Sequence, residues 1–254
     1  APKSEKGYYN LGLAYERLGR YDDAIAALQK GREVNPDNEK THFELGKIYT
    51  IKEKTAEAIH AFQETVRINP VYVQGFYRLG LAYEKEGCLP EAVDAFERAS
   101  FIDQENPEVY KHLSRAYLSR QKVEEALQAL QKAEQLSPQD QEVHYQRGLI
   151  LMTIDEQIAK AKDAFRKAVQ LKPDYKEAQF QLGLVCLKLN KHKEAIKAFK
   201  ETIHLEDEHK QAHYQLGFAY AMIKDMESAR REYRFLKERD PELAETLNML
   251  IKSN

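Results

Sequence analysis

The stretch "VQGFYRLGLAYEKEGCLPEAVDAFERAS", residues 73–100, decides the fold of this chain. Phe76, Leu79 and Tyr83 follow the i, i+3, i+7 spacing of residues on one face of an α-helix. A second run with the same spacing surrounds Phe96, with alanines before and after it. The stretch therefore predicts two amphipathic helices joined by a short turn, with their apolar faces packed together.

The same pattern recurs along the chain with a period of 34 residues, lengthened to 35 once. Glycine inside a helix costs about 1 kcal/mol relative to alanine, so its recurrence predicts a second helix that approaches closely. The small residues of the first helices are Gly12, Gly46, Gly80, Ser114, Gly148, Gly183 and Gly217. The large residues of the second helices are Leu28, Phe62, Phe96, Leu130, Phe165, Phe199 and Tyr233.

This pattern resembles the tetratricopeptide repeat family over essentially the whole chain. The resemblance implies an all-α fold, a right-handed α-solenoid (superhelix) of tandem helix-turn-helix repeats, in one domain over 1–254. An extra residue within "TIDEQIAK", residues 153–160, lengthens the turn of the fifth repeat. The repeats are expected at about 5–38, 39–72, 73–106, 107–140, 141–175, 176–209 and 210–243, with a capping helix over 241–254.

The two ends of the chain differ in pattern. In "PELAETLNMLIKSN" the residues Leu243, Leu247 and Ile251 lie on one side of a helix, as expected of a cap. Ser4 is suited to capping the first helix, but nothing is expected to cover that helix's flank. Because the sequence begins with Ala1 rather than Met, either upstream residues or a second chain at this N-terminal face is expected there, the latter giving a homo-oligomer.

In this family, the resemblance implies, the outer face of the first helix lines a concave groove where peptides bind. That face carries the fifth, ninth and twelfth positions of each repeat. The fifth position is aromatic in six repeats, and packing between first helices explains those rings as well as peptide binding does. The candidate groove residues are Tyr9, Phe43, Tyr77, Lys111, Arg115, Tyr145, Leu149, Met152, Phe180, Leu184, Leu187, Tyr214, Phe218 and Met222.

Apolar residues accumulate on this face in repeats five to seven, where Ala221 also belongs to the set. So many apolar residues on one face exceed the isolated apolar residues that are normal on a protein surface. The accumulation therefore predicts binding of an apolar or amphipathic segment. In "YKHLSRAYLSRQ", residues 110–121, Lys111 and Arg115 replace the aromatic and the leucine of other repeats. They predict a positively charged patch next to these apolar residues. The alternative is ordinary sequence variation on a solvent-exposed helix face.

Other functional classes lack support in the sequence. The net charge is −2, without the basic excess that nucleic-acid binding requires. No apolar run approaches the roughly 18 residues of a membrane span, so no direct membrane insertion is expected, and a cytoplasmic location is favoured. Cys88 and Cys186 lack disulfide-framework or zinc spacing.

Catalytic and metal-binding motifs are also missing. His209 and His213 have i, i+4 spacing, but His213 falls at a core-facing position shared with His42 and His144, so no metal site is predicted. No phosphate loop or nucleophile motif occurs, and neither catalysis nor a cofactor is expected.

The sequence therefore predicts a non-catalytic interaction scaffold, or adaptor, that binds a peptide or an amphipathic helical segment of a partner protein. Two alternatives stay open. One is a structural protein that assembles with copies of itself, and the other is the repeat arm of a larger multidomain protein. The repeats define the scaffold, while only a few side chains define its ligand, so the partner and pathway are not specified.

Overall fold

The computed structural model describes residues 4–253, which form fifteen α-helices, one short 3₁₀ helix and no strand. The predicted all-α class of tandem helical hairpins is confirmed. The first eight helices are α1 (Glu5–Arg17), α2 (Tyr21–Val34), α3 (Glu39–Ile51), α4 (Thr55–Ile68), α5 (Val73–Glu86), α6 (Leu89–Ile102), α7 (Pro107–Ser119) and α8 (Val123–Leu136). The others are α9 (Gln141–Leu151), α10 (Ile158–Leu171), α11 (Lys176–Lys188), α12 (His192–Leu205), α13 (Lys210–Met222), α14 (Met226–Arg239) and α15 (Pro241–Ser253).

The chain divides between Leu136 and Ser137 into two compact units. The N-terminal unit contains the hairpins α1/α2, α3/α4, α5/α6 and α7/α8, and each hairpin packs on the next. The C-terminal unit contains the hairpins α9/α10, α11/α12 and α13/α14, stacked in the same way, with α15 against the last. Among residues 4–253, no helix combines the length and the apolar character needed to cross a bilayer.

A close contact between glycine and phenylalanine holds several hairpins together. A Cβ atom added at Gly46 would lie 2.5 Å from Cε1 of Phe62, and one added at Gly80 would lie 2.6 Å from Cε1 of Phe96. Both phenylalanines have no exposed surface. The recurrent glycine is therefore explained as predicted, because any side chain at that position would collide with the second helix.

Ser114 occupies the equivalent position of the fourth repeat, where the large residue is leucine rather than phenylalanine. Ser114 and Leu130 are both buried, so the hairpin tolerates a Cβ atom at this point. Among residues 4–253, no hydrogen-bond partner lies within reach of the Ser114 hydroxyl. The exchange is thus small for small, as the sequence suggests, but it leaves a buried polar atom unsatisfied.

The hairpin turns differ between the fifth repeat and the others. Six turns contain one residue with left-handed backbone: Gly19, Glu53, Gly87, Gln121, Asn190 and Lys224. The turn after α9 instead contains a 3₁₀ helix, Asp155–Gln157, and α9 is shorter than the other first helices. The extra residue predicted within 153–160 is accommodated by this change of turn.

The last helix, α15, contributes the side chain that meets Gly217. A Cβ atom at Gly217 would lie 2.5 Å from Cδ2 of Leu247 and 3.1 Å from Cβ of Glu232 in α14. The second helix of the repeat therefore approaches this glycine as predicted, but the nearest side chain comes from beyond the repeat. Leu247 is fully buried and Ile251 nearly so, while Glu242 and Glu245 face solvent.

Candidate functional site

The side chains at the fifth, ninth and twelfth positions of each repeat, together with Met222, are called here the first-helix face. In the N-terminal unit this face combines aromatic and leucine side chains with charged groups, and several of these charges are paired. Lys47 Nζ lies 2.5 Å from Glu44 Oε2 and 3.3 Å from Glu16 Oε1, which links α3 to α1. Arg115 Nε lies 3.7 Å from Glu84 Oε1, which links α7 to α5. Ion pairs between successive first helices therefore occupy much of this part of the face.

Lys111 and Arg115 differ in their surroundings. Lys111 Nζ lies 2.7 Å from Glu108 Oε1, and its side chain is only 12% exposed. Arg115 is 46% exposed, and its Nη2 lies 2.5 Å from Nδ1 of His112 in addition to the Glu84 contact. The side chain of Arg115 is therefore solvent-exposed, whereas that of Lys111 is mostly buried. The positively charged patch stays a prediction, and it rests more on Arg115 than on Lys111.

Glu84 is the half-buried carboxylate of this cluster, with Oε2 3.3 Å from Nδ1 of His112. The hydrogen bond with His112 and the charge of Arg115 outweigh burial and lower the pKa of Glu84 below its ordinary 4.5. A carboxyl with a lowered pKa stabilises the folded state above its unfolded-state pKa, and the contribution is lost as the pH falls through the lowered value.

We expect Glu84→Gln to reduce the free energy of unfolding at pH 7 by roughly 0.2–1 kcal/mol, the range for solvent-accessible ion pairs. The difference from the parent protein should shrink as the pH falls below 4.5, because the parent side chain then loses its charge. Thermal melts between pH 7 and pH 3 measure this difference, with Glu86→Gln, an exposed position on the same helix, as the control. A difference that stays constant with pH would contradict the assignment.

In the C-terminal unit the first-helix face is apolar. Leu149, Met152, Leu184, Leu187, Phe218 and Met222 are all half-buried, so each keeps part of its surface accessible. Leu184 and Leu187 also pack against the buried core of this unit. Ala221 is only 1% exposed and belongs to the core. Including it among the accessible residues was wrong, since the packing of α13 covers it.

The fifth-position rings are half-buried, and each of four contacts the buried phenylalanine of its own hairpin. The pairs, with their centroid distances, are Phe43–Phe62 at 5.8 Å, Tyr77–Phe96 at 6.1 Å, Tyr145–Phe165 at 5.9 Å and Phe180–Phe199 at 5.8 Å. Tyr9 and Tyr214 likewise pack against core clusters. The packing interpretation of these rings therefore has direct support, and their remaining exposed surface is still compatible with peptide contact.

Three histidines at the fourth position bond to the turn before their own repeat. Nε2 of His42, His144 and His213 lies 2.8, 3.1 and 2.9 Å from the carbonyl oxygen of Pro36, Pro138 and Asp207, respectively. Because a carbonyl only accepts, Nε2 is the donor in each case. Sequence reasoning placed these residues in the core but did not find this bond.

The pair considered for metal binding has other partners. His213 Nδ1 lies 2.6 Å from Oε2 of Glu232, and its ring stacks on Phe235. His209 Nδ1 accepts a hydrogen bond from the backbone N–H of Ala212 and so caps α13. Among the residues described, 4–253, no group of three potential ligands gathers.

Comparison with known proteins agrees with this architecture. Residues 4–215 match the family described as the Cilia and flagella-associated protein 70 C-terminal domain, and residues 187–244 match the tetratricopeptide repeat. The chain belongs to this family of tetratricopeptide-repeat domains. The resemblance drawn from the 34-residue period is thereby confirmed. A comparison with curated protein sequences gives no match.

Solved structures of other tetratricopeptide-repeat proteins share the fold. The C-terminal part of a TPR repeat-containing protein from Cytophaga hutchinsonii is 16% identical with a TM-score of 0.78, over 94% of this chain and 98% of that one. Pseudomonas aeruginosa pilF is 18% identical with a TM-score of 0.69, over 83% and 96%. YrrB, described as a TPR protein with an unusual peptide-binding site, is 20% identical with a TM-score of 0.63, over 73% and 95%.

Proposed function

We propose that this tetratricopeptide-repeat domain is a non-catalytic interaction scaffold whose C-terminal unit binds an apolar or amphipathic segment of a partner protein. One observation carries the proposal: the first-helix face is apolar in the C-terminal unit and is crossed by ion pairs in the N-terminal unit. Half-buried leucine, methionine and phenylalanine side chains already held by a packed core offer apolar contact with little loss of side-chain entropy on binding.

The chemistry of this face fits binding rather than catalysis. The side chains of Leu149, Leu184 and Phe218 supply no nucleophile, no proton donor or acceptor and no metal ligand. Methionine at 152 and 222 adapts its shape to different partners because its side chain is unbranched and flexible. The description of YrrB as having a peptide-binding site supports a peptide as the ligand class.

A binding experiment tests the proposal. The probe is a fluorescently labelled helical peptide with leucine at i, i+3, i+4 and i+7 and glutamate or lysine elsewhere, and fluorescence anisotropy reports its Kd. We expect Leu184→Glu combined with Phe218→Glu to weaken binding at least tenfold, equivalent to about 1.4 kcal/mol. The two carboxylates would have to lose their hydration to contact the apolar side chains of the peptide.

The control variant combines Lys188→Gln with Gln211→Glu, which changes the net charge by the same amount at exposed positions of the same two helices. The control should bind as the parent does, and circular dichroism should show that both variants remain helical. Equal affinity of the parent and the Leu184→Glu, Phe218→Glu variant would reject the proposed face.

Two other roles have a specific observation behind them. Self-association is favoured by the opposite charges of the second helices in the two units, as developed below. A role as the repeat arm of a larger protein is favoured by the matched family, which is described as the C-terminal domain of a cilia and flagella-associated protein. Light scattering over a concentration series distinguishes self-association from peptide binding, because only self-association makes the apparent mass rise with concentration.

A further inference from the structure

The second helices of the hairpins carry opposite charges in the two units. Helices α2, α4, α6 and α8 contain five lysine and arginine residues and eleven aspartate and glutamate residues, a net charge of −6. Helices α10, α12 and α14 contain twelve basic and six acidic residues, a net charge of +6. The first helices are close to neutral, so the charge asymmetry belongs to the second-helix faces alone.

Several positive charges on the second helices of the C-terminal unit are unpaired. Lys160, Lys193, Lys197, Arg230 and Lys237 are exposed, and none forms an ion pair within residues 4–253. A cluster of unpaired cations on adjacent helices produces a local positive potential, which attracts an acidic surface and falls with added salt.

This basic face contains a cleft between α10, α11 and α12. Its volume is about 520 Å³, within the range of pockets that hold small organic molecules. The side chains that line it are Arg166, Val169, Pro173, Gln179, Leu182, Cys186, Glu194, Lys197, Ala198 and Glu201. Of its two carboxylates, Glu194 is already paired with Arg166 at 3.2 Å. Lys197 lines the cleft together with the exposed Glu201, and Lys193 lies one helical turn away on α12. The cleft therefore offers an apolar side chain a place next to these two lysines.

The acidic face of the N-terminal unit presents a side chain that suits such a cleft. Phe101 is 75% exposed, more than the other large apolar residues that the structure describes as exposed. Glu91, Asp94 and Phe101 have i, i+3, i+10 spacing and lie on one face of α6. Glu91 and Asp94 are exposed and form no ion pair within residues 4–253. Asp94, Glu97 and Arg98 lie around Phe101, so carboxylates outnumber cations beside this aromatic anchor. An aromatic anchor with carboxylates beside it suits a cleft next to Lys193 and Lys197.

We propose that this protein binds a second copy of itself through these two surfaces: Phe101 of one molecule enters the α10–α12 cleft of another, and Glu91 and Asp94 face Lys193 and Lys197. One such contact uses the Phe101 surface of one molecule and the cleft of the other, so the first keeps a free cleft and the second a free Phe101 surface, to which further chains can add. This interface uses second helices and the side of α11 that carries Gln179 and Leu182, whereas the peptide-binding face proposed above uses Leu184 and Leu187 of that helix.

Sedimentation velocity over a concentration series tests the proposal. The parent protein should form dimers and larger species at low salt and dissociate as salt is added. One variant, Phe101→Ser with Asp94→Lys, removes the acidic anchor, and the other, Lys193→Glu with Lys197→Glu, removes the basic partner. Each should be monomeric alone at concentrations where the parent associates. Their equimolar mixture should form a dimer and nothing larger, because each variant retains one intact surface.

The control, Leu18→Ser with Lys40→Glu, alters an exposed apolar residue and an exposed lysine outside both surfaces and should associate as the parent does. A parent that stays monomeric at every concentration would overturn the proposal, as would a mixture that stays monomeric. Polyglutamate or a single-stranded oligonucleotide serves as a second probe. If either binds a monomeric parent and is released by Lys193→Glu with Lys197→Glu, the basic face serves another polyanion and the proposal fails.

Discussion

Phe62→Ala is expected to lower the free energy of unfolding by about 3–5 kcal/mol, the range for truncating a fully buried phenylalanine. Phe62 has no exposed surface, and its ring contacts Phe43 at 5.8 Å. Its ring also fills the space beside Gly46, so its removal leaves a cavity between the two helices of the hairpin.

Urea denaturation followed by circular dichroism measures this loss. Hydrogen exchange adds a local test, because stability in repeat proteins is distributed and amides of α3 and α4 should lose protection first. Leu18→Ala is the control, since that side chain is 70% exposed and its truncation should change stability by no more than about 0.5 kcal/mol. A loss below 1 kcal/mol for Phe62→Ala would mean that this contact does not hold the hairpin.

The second large effect is expected at Gly46. Gly46→Ala should destabilise the protein by about 1–3 kcal/mol through overpacking, because the added Cβ atom would lie 2.5 Å from Phe62 Cε1. The buried ring has no free space into which to move. This loss opposes the gain of up to about 1 kcal/mol that alanine normally brings to a helix interior, so the sign of the effect is a test of the geometry.

A double-mutant cycle separates the clash from other effects of Gly46→Ala. In a Phe62→Ala background the same substitution should cost less, because alanine lacks the ring atoms that collide with the new Cβ atom. Gly31→Ala is the control: its Cβ atom would meet Tyr8 Cβ at an ordinary 3.4 Å, so no loss is expected. Additive effects in the cycle would exclude the clash.

The fold was largely predictable because the determining contacts recur with the period of the sequence. A small residue at Gly46 and a large one at Phe62 belong to the same hairpin, so their spacing is fixed by local helix geometry. The partner of Gly217 was not predictable in the same way, because Leu247 comes from a helix outside the repeat pattern. Burial of Ala221 likewise depends on how α13 packs in three dimensions rather than on its position in the repeat.

The candidate site was predictable only as a set of positions. The sequence indicated which residues of each first helix share a face, and it showed that leucine and methionine accumulate toward the C-terminus. It did not show that Lys47 bridges to Glu16 or that Arg115 reaches Glu84, because each ion pair joins residues of different repeats. Such pairs depend on the offset between stacked helices, which a sequence period does not specify.

The histidine bonds between a repeat and the turn before it tie neighbouring repeats together through single side chains. His42 and His144 donate from Nε2 to a proline carbonyl oxygen. Proline has no backbone N–H, so at these residues the carbonyl oxygen is the only backbone group that can form a hydrogen bond. A backbone acceptor of one repeat is thus bonded by a side chain of the next, and replacing the imidazole would remove a bond that crosses the boundary between two repeats.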